Sequence, residues 1–180
     1  MKTIKSILKL FILTLAFTTI SCDDEPVDPA LDLSAGSSSG SVFTAKIDGN
    51  DFIASTKFGD FSSTALGNQL IVSGLTNNGK SISIQIINPG VGTFAANTAS
   101  SNLCVLQYFD SSLGSINGAF SSFNPISNTS VGTVTITEFD RTNDLVSGTF
   151  SFSAYNISNS TTKLVTNGVF TDIEFDNQVD

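Results

Sequence analysis

The residues that could do chemistry are few, and the first of them is a cysteine. Cys22 follows the small residue Ser21 and precedes Asp23, Asp24 and Glu25. Ahead of it, Lys2, Lys5 and Lys9 form a positive segment, and residues 10–20 form an apolar run too short to span a bilayer. This is the pattern of an export signal, and a cysteine at its border is the acceptor of a bacterial lipoprotein. Cleavage before Cys22 and acylation of its sulfur would make it the new N-terminus. Thr19 departs from the pattern, which prefers Leu three residues before the cysteine. Residues 1–21 are therefore expected to be a signal peptide. Membrane contact is expected to run through the acyl chains on Cys22, two or three of which anchor a protein stably.

Carboxylates are the other chemical resource. Asp48, Asn50 and Asp51 fall in one turn-like stretch, Asp140, Asn143 and Asp144 in another, and Asp172, Glu174 and Asp176 alternate along a strand-like run. Calcium takes about six to eight oxygen ligands, so three side chains need help from backbone or neighbouring loops. Turn chemistry accounts for the first two groups. The third is expected to line an exposed face and to discourage edge-to-edge pairing. Asp140, Asn143 and Asp144 are retained as candidate calcium ligands, and no other cofactor is expected.

Much catalytic chemistry lacks its residues. The chain has no His, which removes the common Ser-His-Asp and Cys-His arrangements and any His-based zinc site. Cys22 and Cys104 are its two cysteines. With Cys22 acylated, Cys104 would have no partner, and its setting in Leu103-Cys104-Val105-Leu106 points to a buried, inert thiol. No phosphate-binding loop, dinucleotide fingerprint or EF-hand spacing occurs. No Asp/Glu pair stands out as a glycosidase pair, so enzymatic activity is not expected. Loss of the signal would leave five Lys and Arg side chains against sixteen Asp and Glu, a balance that repels nucleic acid.

The positioning elements begin after a spacer. Residues 22–41 are acidic, then rich in Ser and Gly, and are expected to form a flexible tether, with residues 42–180 a single domain. Phe43, Ala45 and Ile47 alternate with Thr44 and Lys46, and Asp48-Gly49 supplies a hairpin turn. Residues 56–68 suit an irregular strand or a covering loop. Strands are expected over 69–76 and over 81–87, where Ile82, Ile84 and Ile86 share a face, with Asn77-Asn78-Gly79 turning between them. Residues 92–96 and 103–109 follow. The stretch 110–130 carries scattered Leu113, Ile116, Phe120, Phe123 and Ile126 and suggests a loop pinned on the core, the expected place of ligand contact. Val134 and Ile136 alternate in the next strand, and Phe150, Phe152 and Ala154 in the one after. In the last, Val169, Thr171, Ile173 and Phe175 share a parity after an irregularity expected at Asn167-Gly168. The Asn-x-Ser/Thr sites at Asn128, Asn156 and Asn159 agree with exposed turns.

This pattern predicts an all-β domain, an antiparallel β-sandwich or a closed β-barrel of about eight to ten strands. The chain's fifteen Phe residues would fill its core. Val42-Phe43-Thr44-Ala45-Lys46-Ile47-Asp48-Gly49, Gly148-Thr149-Phe150-Ser151-Phe152 and Thr166-Asn167-Gly168-Val169-Phe170-Thr171 together resemble a family of small Bacteroidota lipoproteins whose β-rich domain has no assigned function. The resemblance implies a lipid-anchored domain at the outer membrane, facing the cell surface or the periplasm. It assigns no catalytic or ligand residues. The expected role is a non-enzymatic binding or accessory protein, contacting a glycan, a peptide or an envelope protein. The alternatives are a structural envelope lipoprotein or an Asp/Glu-dependent glycan-active enzyme.

Overall fold

A computed structural model of the chain describes residues 40–99 and 103–179. The signal, Cys22 and the tether up to residue 39 lie outside them. Thirteen strands are found among the described residues: β1 (Val42–Ile47), β2 (Asn50–Ile53), β3 (Thr56–Thr64), β4 (Gly67–Leu75), β5 (Lys80–Ile87), β6 (Gly92–Ala95), β7 (Cys104–Asp110), β8 (Ala119–Ser121), β9 (Phe123–Asn124), β10 (Thr129–Ser130), β11 (Gly132–Asp140), β12 (Leu145–Asn156) and β13 (Thr161–Asn177). The two-residue strands β9 and β10 form a small hairpin, and the other eleven form one sheet.

Two long strands organise that sheet. β12 and β13 pair with each other, and each shares its far edge between two partners. β13 holds β1 along its first half and β3 near its end, while β12 holds β11 and, at Tyr155, β8. The remaining strands run β3-β4-β5-β7-β8 from one long strand round to the other. The sheet therefore curls onto itself with its apolar faces inward. It is sandwich-like rather than a fully closed barrel, because the seam between β8 and β12 is a single pair, Tyr155 with Ser121. The β3–β13 pairing is parallel, so the sheet is mixed rather than purely antiparallel. Residues 56–64 form a full strand of this circuit.

Alternation places the core. Phe43, Ala45 and Ile47 of β1, Ile82, Ile84 and Ile86 of β5, Val134 and Ile136 of β11, and Phe150, Phe152 and Ala154 of β12 are all buried. Asp48 and Gly49 have φ of 49° and 84°, the two positive values that a tight two-residue hairpin turn demands. In β13 the expected parity fails. The irregularity at Asn167-Gly168 is present, with Asn167 at φ 51°, but a second one sits at Asp172, at φ 49°. Phe170 is buried in place of Val169, and Ile173 and Phe175 return inward after the second. Two bulges coil a strand more sharply than one, and β13 must bend to serve partners on both layers.

Phenylalanines and glycines pack reciprocally at the centre. In the β12–β13 register Gly148 faces Phe170 and Phe150 faces Gly168. A Cβ on Gly168 would lie 2.5 Å from the Phe150 ring, and one on Gly148 would lie 2.5 Å from the Phe170 ring. Phe43 joins them, its ring centroid 5.3 Å from that of Phe150 and 6.4 Å from that of Phe170. A second cluster of Phe61, Phe139 and Phe175 closes another part of the core, with the Arg141 guanidinium 5.0 Å from the Phe61 ring centroid.

The stretch 110–130 is held differently from its expected pinning by apolar anchors. Ser111–Leu113 is a 3-10 turn and Gly114–Asn117 a single α-helical turn. Leu113, Ile116 and Ile126 are exposed, and Phe120 alone of the five is fully buried. The anchor is Asn156, 1% exposed, against the exposed turn expected of it. Its amide nitrogen lies 3.0, 3.0 and 2.8 Å from the carbonyls of Ile116, Asn117 and Ala119. Its side-chain oxygen accepts from the backbone N–H of Ser158 and Asn159.

The glycine–aromatic packing sets a stability prediction. Gly168→Ala should lower unfolding stability by about 1–3 kcal/mol, because the ring it meets cannot withdraw without disturbing Phe43 and Phe170. Gly90→Ala, where a Cβ meets nothing within 4 Å, should change it by less than about 0.5 kcal/mol. Urea titration of both variants measures the difference.

Candidate functional site

A polar concavity lies at one end of the sandwich. The β1–β2 turn brings Asp48, Asn50 and Asp51 to one wall, the β4–β5 turn brings Thr76 and Asn78, and Lys80, Asp110 and Lys163 come from β5, β7 and β13. Ile47, Phe52 and Tyr108 line its depth. The cleft has a volume of about 180 Å³.

Its charges are arranged in pairs. The Lys163 ammonium donates to Asp48 at 2.8 Å, Lys80 lies 3.5 Å from Asp110, and Lys46, just outside the cleft, donates to Asp51 at 2.6 Å. Each carboxylate is also placed by its local structure. Asp48 sits in the hairpin turn, where its side chain accepts from the Leu164 N–H at 2.9 Å and its own N–H donates to the Leu164 carbonyl. Those bonds tie β1 to the start of β13. The Leu164 N–H and Lys163 together hold the Asp48 carboxyl below its ordinary value.

Asp110 ends β7 and is almost buried. Its Oδ1 accepts from the backbone N–H and the hydroxyl of Ser112, and its Oδ2 from the Tyr108 hydroxyl at 3.2 Å. Burial raises its pKa, but the Ser112 bonds, Lys80 and Tyr108 outweigh burial, so the group stays ionised below its usual range. Burial first, and then the Asp110 charge, push the Tyr108 phenol above its ordinary value. Tyr108 therefore remains a hydrogen-bond donor and fixes the carboxylate it serves. Among the described residues, every buried side-chain nitrogen and oxygen has a hydrogen-bond partner.

The other candidates are placed elsewhere. Asp140 caps the β11–β12 turn, its carboxylate accepting from the N–H groups of Thr142 and Asn143 and from the Asn143 side chain, bonds that lower its pKa. Asp144 accepts from the Asn177 amide at 3.0 Å. These oxygens are engaged in holding the turn. Asp172 occupies the second bulge, where its N–H donates to the Ser147 hydroxyl at 3.0 Å, so it leaves the regular alternation of Glu174 and Asp176. Among the described residues, no group of three His, Cys, Asp or Glu side chains is close enough to hold a metal. Cys104, the first residue of β7 and opposite Ile86 of β5, is buried in the core, and burial pushes its thiol up to about 11. Of the stretch 110–130, Asp110 alone reaches the cleft. Sequence reasoning noted Asp48, Asn50 and Asp51 as a turn. It missed their convergence with Lys80, Asp110 and Lys163, since no spacing relates residues on five different strands and turns.

Architecture and site together define an all-β, sandwich-like domain with a charge-paired polar cleft at one end. The chain belongs to the family DUF6252, a domain of unknown function, whose family model matches residues 39–174. No curated protein and no solved structure matches the chain.

Two predictions follow from these environments. Asp110→Ala should destabilise the protein by about 1–3 kcal/mol, since it strands the buried Tyr108 hydroxyl, whereas exposed Asp51→Ala should cost less than about 0.5 kcal/mol. In the unfolded chain Asp titrates near about 3.9, and in the fold Asp48 and Asp110 titrate lower. Their stabilisation is complete above that pH and is lost as pH falls through the folded values. Urea titrations between pH 7 and pH 2 should show wild type losing its advantage over Asp110→Asn in that acid range.

Cys104 should resist alkylation in the native protein at pH 8 and react fully once unfolded, as read by peptide mass mapping. Rapid native modification would show that the core opens at the start of β7.

Proposed function

We propose that the protein is a lipid-anchored, non-enzymatic binding or accessory module of the bacterial cell envelope. It attaches to the outer membrane through acylated Cys22, faces the cell surface or the periplasm, and uses the polar cleft as its ligand-contacting site. The cleft carries this reading: polar groups from five strands and turns converge on one small concavity, and convergent polar groups are what orient a ligand in a binding site. The anchor rests on the basic and apolar segments before Cys22 and on the acidic, Ser/Gly-rich stretch after it. A Bacteroidota origin rests on the resemblance carried by the three motifs of the sequence.

The electrostatics favour binding over catalysis. A glycan-cleaving carboxyl pair needs one member whose pKa is raised so that it can deliver a proton. The carboxyls of Asp48 and Asp110 in the cleft are both shifted the other way.

Two measurements on the full-length protein test the proposal. In cells fed a labelled fatty acid, wild type should be labelled and fractionate with the outer membrane, and Cys22→Ser should be unlabelled and released. Thermal unfolding against a panel of glycans, peptides and metal ions should rise for a cleft ligand, by mass action on the folded state. The rise should be smaller in Asn78→Ala at the same ligand concentration. Absence of labelling would overturn the anchor, and a folded sample shifted by no ligand class would favour a structural envelope role.

A further inference from the structure

Resting on the binding role proposed above, we infer that the cleft recognises an uncharged polyhydroxylated ring, a single neutral saccharide unit, in preference to an ion. Size gives the first constraint. A cleft of about 180 Å³ is smaller than the roughly 300–1,000 Å³ of pockets that enclose drug-sized ligands, so it takes one small unit.

Charge gives the second. All three carboxylates of the cleft have an ammonium partner: Asp48 with Lys163, Asp110 with Lys80, and Asp51 with Lys46. An anionic ligand that accepted from an ammonium would lie beside its carboxylate partner, on a chain with sixteen acidic and eight basic residues. A cationic ligand would likewise lie beside a lysine. A hydroxyl group carries no charge to be repelled, and it can donate to a carboxylate and accept from an ammonium. The Asn50 and Asn78 side chains at the rim both donate and accept, and so extend the same match.

Geometry gives the third. Asp48 is held by the Leu164 N–H and Asp110 by Ser112, so these two acceptors are fixed before any ligand arrives. Beneath them Phe52 is 2% and Ile47 9% exposed, so little carbon surface is offered and the polar groups around the cleft would hold the ligand. Donors and acceptors alternating around so small a cleft suit a cyclic polyol better than an extended peptide.

The test is titration calorimetry of the full-length protein with neutral mono- and oligosaccharides, a uronic acid, an amino acid and inorganic phosphate, at roughly 50 and 500 mM salt. A neutral saccharide should bind with an affinity unchanged by salt, and Asp51→Ala or Asn78→Ala should each weaken it by about tenfold. Equal affinity for monomer and oligomer would identify a lone unit as the ligand. Tighter oligomer binding would identify a unit within a chain, and both results support the inference. Binding confined to a charged ligand, weakened by salt and by the same substitutions, would overturn the ligand class while leaving the binding role intact. Saccharide binding unaffected by either substitution would place the site elsewhere and overturn the inference. No binding by any of these ligands would overturn it together with the cleft's role.

Discussion

The reciprocal seating of Phe150 on Gly168 and of Phe170 on Gly148 is the contact on which the rest of the domain depends. Two rings of this size fit between paired strands because each lies over a residue with no Cβ. The arrangement fixes the β12–β13 register, since a one-residue slip would set every ring against a side chain and turn the apolar set outward. It also brings Phe43 of β1 against both rings. With that register set, β13 must reach β1 with one part of its length and β3 with another. The bulges at Asn167 and Asp172 supply the coil that makes this feasible.

Polar groups finish what the rings begin, and they do so at the margins of the core. The two N–H groups of the Asn156 amide are shared among the carbonyls of Ile116, Asn117 and Ala119, in a segment that has little apolar surface to bury, in place of hydrophobic anchoring. Asp140 organises its turn in the same way, through bonds to the two residues that follow. Asp110 does more, because its partners come from its own strand, from the following turn and from β5. A carboxylate held from three directions costs little to keep in place when a ligand binds. Fold stability and site geometry therefore share the same bonds at this end of the sandwich.

The acylation proposed for Cys22, followed by a charged, Ser/Gly-rich stretch, would suit a domain that works at a distance from a membrane. The chain's acidic excess keeps such a domain clear of anionic lipid. The cleft differs from that surface in being balanced, with each carboxylate matched to an ammonium. In the binding role proposed above, local neutrality of this kind would favour ligands that carry hydroxyls rather than charge.

The sequence by itself determined the class of fold and most strand faces, because a period of two is a local property. Phe43, Ala45 and Ile47, the three isoleucines of β5, and Phe150, Phe152 and Ala154 all point where their alternation directs them. Asp48-Gly49 announced its turn because few residue pairs accept two successive positive φ values. The irregularity at Asn167-Gly168 was legible for a similar reason. The second bulge at Asp172 was not, since Asp commonly takes extended backbone and only the demands of two different partner strands impose φ 49° there. Val169 and Phe170 exchanged faces as a result. The parallel pairing of β3 with β13, the burial of Asn156 and the assembly of the cleft were likewise decided by tertiary structure. Each depends on residues far apart in the chain, such as Asp48 and Lys163, whose meeting is a consequence of topology and is written in no local pattern.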